Sequence, residues 1–105
     1  MFDTLFCNAR IVDGTGTPWF WGSLGVQDGF VAAVLPRTTK PLSRHTIVLE
    51  GGILCPGFVD AHIHLESSLV SPKEFVRATL PHGTTTVITD PHEITNVMGT
   101  DGIDY

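Results

Sequence analysis

The chain has 105 residues, a net charge of −5 and only 16 % charged residues. This length suits one domain and is too short for a complete (β/α)₈ barrel, which needs about 250 residues. The charged fraction lies below the usual figure of about 25 %, although a small free-standing domain has a large surface to keep in water. The composition therefore indicates a covered surface or part of a larger protein.

The residue types also exclude several classes of partner. There is no basic stripe, so we expect no nucleic-acid partner, and there is no apolar run of 18 residues, so we expect no membrane partner. The N-terminus lacks the basic region of a signal peptide. Two cysteines, Cys7 and Cys55, suit a reducing compartment. We therefore expect a cytoplasmic protein.

Residues 1–54 predict a small β domain with a sandwich-like arrangement of short strands. The Asp28-Gly29 pair lies between apolar runs and is a strong hairpin signal. The aromatic run 19–21 follows a Gly-rich turn and is interpreted as a packing cap rather than a ligand-stacking surface. The predicted strands are 2–12, 22–27, 30–34 and 45–49, with turns or loops at 13–18 and 36–43.

Residues 55–105 predict the start of a parallel α/β domain. After Pro56-Gly57, residues 58–64 have the pattern of a strand, in which residues two apart share a face. One face is then apolar and suits packing against helices. The other face carries Phe58, Asp60, His62 and His64.

A helix and a second strand follow in chain order. Ser71 and Glu74 form a capping box around Pro72, which predicts a helix from there to about Pro81. The β-branched run 84–89 predicts a strand, and Asp90-Pro91-His92-Glu93 repeats the capping pattern at the start of a second helix. A strand–helix–strand order predicts parallel strands with a site at their carboxyl ends.

The pair His62-x-His64 can present two imidazoles to one metal ion from the same side of a strand. The plainer alternative is two histidines that are satisfied by hydrogen bonds. Asp60 either orients an imidazole or is a structural carboxylate at the strand start. His92 and Glu93 follow the second strand, where they either join the site or serve only the first turn of the helix.

Residues 54–64, Leu-Cys-Pro-Gly-Phe-Val-Asp-Ala-His-Ile-His, resemble the signature that opens the barrel of the amidohydrolase superfamily. Members carry a small β domain ahead of a metal-dependent (β/α)₈ barrel. The resemblance implies an α/β fold: an N-terminal β domain followed by the first βα units of a TIM-like (β/α)₈ barrel, here incomplete.

Within that superfamily, residues 62–68, 80–87 and 90–97 closely resemble the adenine deaminases. The resemblance implies hydrolysis of the 6-amino group of adenine to give hypoxanthine and ammonia, by a cytoplasmic enzyme that is a homo-oligomer at full length. It implies a mononuclear or binuclear divalent metal, manganese or iron, with zinc as the alternative. It assigns metal ligation to His62 and His64. From their positions near the strand ends we predict catalysis by Glu66 and Glu93, and ligand orientation or substrate binding by Asp60, Asp90 and His92.

Two other functions stay open at this point. Residues 8–20 look more like the opening of the N-acyl-D-amino-acid deacylases, which implies cleavage of an N-acyl amino acid or a cyclic amide instead. A truncated, metal-binding chain without catalysis is the third reading. Further ligands and the main acid/base group are expected on later strands, so we expect residues 1–105 alone to be inactive.

Overall fold

A computed structural model describes residues 1–104 of the chain. The chain divides into two compact units, the first of Met1–Pro56 and the second beginning at Gly57. The sequence places this division two residues earlier, between 54 and 55, and the last residue of its second domain, Tyr105, lies outside the described residues. No helix in the described part of the chain is long and apolar enough to cross a membrane.

The first unit is a mixed β-sheet built around one long strand. Its strands are β1 (Phe2–Ile11), β2 (Phe20–Gln27), β3 (Phe30–Pro36), β4 (Ser43–Val48) and β5 (Ile53–Leu54). Their order is β3-β2-β1-β4, and β5 also pairs with β1. The β1–β2 and β2–β3 pairs are antiparallel, whereas β4 and β5 run parallel to β1. The strands of this unit thus form one five-stranded sheet, and the expected sandwich-like pairing of two sheets is not seen among its described residues.

Local sequence explains the turn of this sheet. Asp28 and Gly29 have φ angles of 52° and 80°, which is the left-handed pair that a tight hairpin requires, so the predicted β2–β3 hairpin is confirmed. The small core lies on β1 and β2, where Leu5, Ala9 and Ile11 are buried together with Ser23. These four side chains are the buried core of the sheet around its central strand, β1.

The second unit has the predicted strand–helix–strand order. Strands β6 (Phe58–Ile63) and β7 (Thr84–Thr89) pair in parallel, and helix α1 (Pro72–Thr79) connects them. Helix α2 (His92–Met98) follows β7. The α/β class is confirmed. Strand β6 ends at Ile63, one residue earlier than predicted, so His64 begins the loop that follows the strand.

One of the two predicted helix caps is wrong. Ser71 does cap α1, since its hydroxyl accepts the N–H of Glu74 at 3.4 Å. At α2 the capping position is Pro91, and no side chain from that position accepts an amide of the helix. The expected cap, Asp90, instead lies beside His92, because its carboxylate accepts a hydrogen bond from that imidazole.

Candidate metal centre

The candidate site lies where β6 and β7 end side by side. Ile63 pairs with Thr89, and the N–H of Asp90 donates to the carbonyl of Ile63 at 3.4 Å. Parallel pairing therefore brings the His62–His64 segment against the segment that carries Asp90 and His92. Residues nearly thirty apart in the sequence meet at the carboxyl edge, where parallel α/β folds build their sites.

His62 and His64 converge on each other. Their Nε2 atoms are 3.1 Å apart and their rings are nearly perpendicular, at 85°. His62 lies in the part of β6, between Asp60 and Ile63, where the pairing with β7 is irregular. Two nitrogens bound to one tetrahedral zinc ion at about 2.05 Å lie about 3.3 Å apart. The observed spacing is thus close to that of two ligands of a single ion.

The hydrogen bonds of His64 determine which of its nitrogens is free. Its Nδ1 lies 3.2 Å from the backbone carbonyl of Asp90. Because a carbonyl only accepts hydrogen bonds, Nδ1 carries the proton and a neutral imidazole keeps its lone pair on Nε2. That lone pair is on the nitrogen that faces His62. His64 is therefore held in the tautomer that a metal ligand needs.

Asp90 holds a second imidazole with its side chain. The Nδ1 of His92 donates to the Asp90 carboxylate at 3.2 Å, which again leaves Nε2 of a neutral ring with the lone pair. The rings of His64 and His92 lie 4.8 Å apart. Ligand atoms of His64, Asp90 and His92 all lie within 4.8 Å of one another. Sequence reasoning made His64 a ligand and Asp90 and His92 orienting or substrate-binding residues, whereas the structure brings these three residues into one cluster.

Glu66 lies in the 3-10 turn after β6 and reaches the start of α2. Its Oε1 accepts the N–H of Ile94 at 3.2 Å, and its Oε2 is shielded from solvent with no hydrogen-bond partner among the described residues. The backbone N–H of Glu66 itself and the N–H of Ile94 hold the pKa of this carboxyl below its ordinary value, helped by the imidazoles of His92 and His64.

The other two predicted carboxylates make weaker or purely local contacts. Glu93 is exposed, and its two oxygens lie 3.3 and 3.4 Å from the hydroxyl of Ser67, which donates to them. Asp60 accepts the backbone N–H of His62 at 3.2 Å. Of the two alternatives for Asp60, the described contact is the structural one, since it binds the backbone of His62 and no imidazole.

An open cleft of about 840 Å³ is lined by residues that follow the histidines in the sequence, such as Leu65 and Glu93, whereas His62, His64 and His92 are not among its described lining. Apolar residues of the loop after β6 and of α2 form most of its lining, including Leu65, Leu69 and Ile94. Glu66 and Glu93 are the charged residues among its described lining. A mostly apolar cleft with a few polar groups is typical of a small-molecule site.

The donor set fits a divalent transition metal. His64, Asp90 and His92 form one cluster, the Nε2 of His62 lies 3.1 Å from that of His64, and neutral imidazole with carboxylate suits zinc, manganese and iron. Backbone and carboxylate acceptors already hold the Nδ1 atoms of His64 and His92. The contact between the Nε2 atoms of His62 and His64 also has the length of a hydrogen bond, which is the plainer alternative for this pair.

Comparison with known proteins identifies the family to which the chain is similar. The model of the amidohydrolase family matches residues 53–105. The chain is 48 % identical over 103 residues to a protein named adenine deaminase from Desulfatibacillum aliphaticivorans, and 41 % identical to the adenine deaminase of Bacillus subtilis. Each alignment covers 98 % of this chain and 17 % of the relative. The chain thus spans about a sixth of the length of these curated relatives.

A solved structure is similar in fold as well as in sequence. The N-acyl-D-glutamate deacylase of Bordetella bronchiseptica, in complex with zinc and a phosphonate inhibitor, superposes with a TM-score of 0.68 at 35 % identity. The match covers 84 % of this chain and 18 % of that one. Both the β domain and the first βα units are therefore arrangements that occur in metal-binding hydrolases.

Proposed function

Since the chain belongs to the amidohydrolase family, we propose that the full-length protein is an adenine deaminase. It hydrolyses adenine to hypoxanthine and ammonia. Its full-length chain forms a complete TIM-like (β/α)₈ barrel. The convergence of His62 and His64 at the carboxyl edge of β6 carries this proposal, since it is the geometry that a metal-dependent hydrolase needs. The names of the relatives, which are 41–48 % identical over 98 % of this chain, support the choice of adenine as the substrate.

In this proposal each residue of the cluster has a defined task. His62 and His64 bind the ion through Nε2, and His92 is near enough to join them. Asp90 orients two imidazoles, one through its carbonyl and one through its carboxylate. Asp60 holds the backbone of His62 in place. Fixed tautomers of this kind raise metal affinity, because less reorganisation is needed on binding.

The reaction needs one addition and one proton relay. When bound, a divalent cation supplies Lewis-acid activation of water at neutral pH. The water oxygen adds to C6 of adenine and the bond from C6 to the exocyclic nitrogen breaks. One proton of the water leaves with that nitrogen as ammonia, and the other remains on N1 of the hypoxanthine ring. Glu66 and Glu93 are the carboxylates at this edge of the sheet that could carry those protons, and later strands are expected to contribute more.

We propose manganese or iron as the native metal, with zinc as the alternative and one or two ions per site. An imidazole-rich set with one carboxylate accommodates all three. We also propose a cytoplasmic location, which is supported by free thiols at Cys7 and Cys55.

A second function has its own support. The structural match to an N-acyl-D-glutamate deacylase at 35 % identity favours cleavage of an N-acyl amino acid instead. Both reactions use an activated water and a carboxyl-edge metal site, so the described residues serve either one. The substrate is what distinguishes them.

Assays of the full-length protein decide between the two. After chelation and reloading with manganese, iron or zinc, we expect ammonia to be released from adenine and no carboxylic acid from N-acetyl-D-amino acids. Release of acid with no ammonia would favour the deacylase, and a metal-loaded protein without either activity would favour a non-catalytic, metal-binding role.

Variants connect the activity to the site. We expect His62→Ala and His64→Ala each to lower metal content and to reduce turnover by at least about 10²-fold, because truncation removes a ligand from the ion. His45→Ala is the control, since His45 lies on β4 of the first unit. Full metal content and turnover in both site variants would contradict this assignment.

A further inference from the structure

Glu66 makes a contact that no local sequence pattern predicts. It lies two residues after His64, in the turn that leaves β6, and its Oε1 accepts the N–H of Ile94 at 3.2 Å. Ile94 is the third residue of α2 and lies two residues after His92. One side chain therefore joins the segment that carries one candidate ligand to the helix that carries another.

This contact replaces a missing cap. The first amides of a helix have no acceptor within the helix and need one from outside. Pro91, at the capping position of α2, offers no side-chain acceptor, and Asp90 is engaged by His92. The carboxylate of Glu66 supplies the missing acceptor, although Glu66 lies 28 residues before Ile94 in the chain. Its negative charge also suits the positive end of the helix dipole.

A second link runs beside the first. The hydroxyl of Ser67 donates to the carboxylate of Glu93 across the same two segments. The Glu66 bond is the stronger constraint, because Glu66 is half-buried and a carboxylate that accepts a backbone N–H forms a charge-assisted bond. The Ser67 bond is longer and exposed, so it adds less.

We propose that Glu66 is a positioning residue, which sets α2, and with it Asp90 and His92, against His62 and His64, and which does not itself transfer protons. The inference rests on the proposed metal centre but not on the identity of the substrate. Two carboxylates line the cleft, and a positioning role for Glu66 leaves Glu93 as the group that transfers protons. Glu93 suits this role because it is exposed and its described side-chain contact is a hydroxyl.

Replacement by glutamine separates positioning from proton transfer. The side-chain carbonyl of Gln has the same reach as the carboxylate and still accepts the Ile94 N–H, but it cannot act as a base. A positioning role predicts that Glu66→Gln rescues the defects of Glu66→Ala. A proton-transfer role predicts that the two variants are equally impaired in turnover.

The experiment uses the full-length protein and three measurements. These are the Kd for manganese by competition with a chelator, hydrogen exchange of the peptide that spans residues 90–98, and kcat with adenine. Glu74→Ala and Glu74→Gln are the matched controls, because Glu74 lies in the first turn of α1 and its carboxylate pairs with Arg77. Both controls should bind manganese like the parent.

We expect Glu66→Ala to weaken manganese binding by about 10- to 100-fold and to speed exchange of the 90–98 peptide. Glu66→Gln should return the Kd to within about threefold of the parent and lower kcat by less than about tenfold, whereas loss of a proton-transfer group costs about 10²–10⁴-fold. Equal losses of affinity in both Glu66 variants, or parental exchange in Glu66→Ala, would overturn the proposal. So would a Glu66→Gln protein that binds metal normally and has lost kcat.

Two provisions keep the test decisive. If Glu66→Ala does not fold, the Kd of Glu66→Gln decides alone: within about threefold supports positioning and a larger loss overturns it. If the parent releases no ammonia from adenine, the proposed substrate fails, while metal affinity and hydrogen exchange still test the role of Glu66.

Discussion

At the scale of single residues, backbone amides determine what several carboxylates of this chain do. Asp13 and Asp60 each accept the N–H of the residue two positions ahead, which is a local side-chain-to-backbone bond that short acidic side chains favour. Asp13 does so in a turn and Asp60 within β6. Glu66 is longer and reaches across to α2 instead. The same chemical preference therefore gives two local bonds and one long-range link, according to the length of the side chain and the position of the nearest free amide.

The Asp13 turn has a pH dependence that can be measured. The backbone N–H and the hydroxyl of Thr15 both donate to this carboxylate, at 3.0 and 2.7 Å, and hold the pKa of Asp13 below its ordinary value. A lowered pKa in the folded state stabilises the fold above the unfolded pKa of about 3.9, and that contribution is lost as pH falls through the folded pKa.

We therefore expect Thr15→Ala to raise the pKa of Asp13 partway, because the hydroxyl donor is lost and the backbone donor remains. Carboxyl carbon NMR titration of the protein measures this directly. Thr38→Ala is the control, since no described hydrogen bond joins Thr38 to Asp13. An unchanged Asp13 pKa in Thr15→Ala would show that the hydroxyl does not contribute.

At the scale of elements, β1 organises the first unit and β6–β7 organise the second. Strand β1 pairs with β2, β4 and β5, so all of its neighbours depend on its register. Close contact between β1, β2 and β3 leaves little space at Gly22, where a Cβ would lie 2.8 Å from the Ile11 side chain and 2.9 Å from the Leu35 carbonyl. The backbone oxygen cannot move aside as a flexible side chain can.

Gly22→Ala should therefore destabilise the first unit by about 1–3 kcal/mol, the usual range for an overpacked core. Denaturant unfolding of the protein, followed by the fluorescence of the tryptophans at 19 and 21, measures the change in free energy of unfolding. Gln27→Ala, at the exposed end of the same strand, is the control and should change stability by less than about 0.5 kcal/mol. Equal stability of Gly22→Ala and the parent would disprove the close contact.

At the scale of the whole molecule, the two units differ in how much apolar surface they bury. The first has a small buried core on β1 and β2. In the second, no apolar side chain among residues 57–104 is fully buried, and Leu69 and Val97 are 91 % and 85 % exposed. Exposed apolar area of this kind marks a surface that a partner, a ligand or another part of a protein covers, and the relatives that the chain matches are about six times as long.

A polypeptide of residues 1–105 should consequently bind a hydrophobic dye such as ANS and release no ammonia from adenine. Replacing Leu69 and Val97 by serine should lower the dye signal, whereas Leu42→Ser in the first unit should leave most of it. The full-length protein should bind little dye, because its remaining chain covers the apolar surface. Absence of dye binding by residues 1–105, or turnover free of contaminating deaminase, would contradict this picture.

The sequence by itself determined the features that depend on near neighbours in the chain. The Asp28-Gly29 hairpin, the Ser71 cap and the strands β6 and β7 follow from turn chemistry, capping and β-branched runs, which act over a few residues. The parallel direction of β6 and β7 follows from the order strand, helix, strand along the chain. The placement of His62 and His64 on one short segment was also predictable, because their spacing is local.

Only the tertiary structure decided how the cluster is completed. Asp90 could have capped α2, as its sequence pattern predicts, but its carboxylate accepts a hydrogen bond from His92 and its carbonyl accepts one from His64. Glu66 caps the helix in its place. These choices depend on which donors and acceptors the parallel pairing of β6 and β7 brings within 3.2 Å, and residues 26–28 apart in the chain carry no local signal of that meeting.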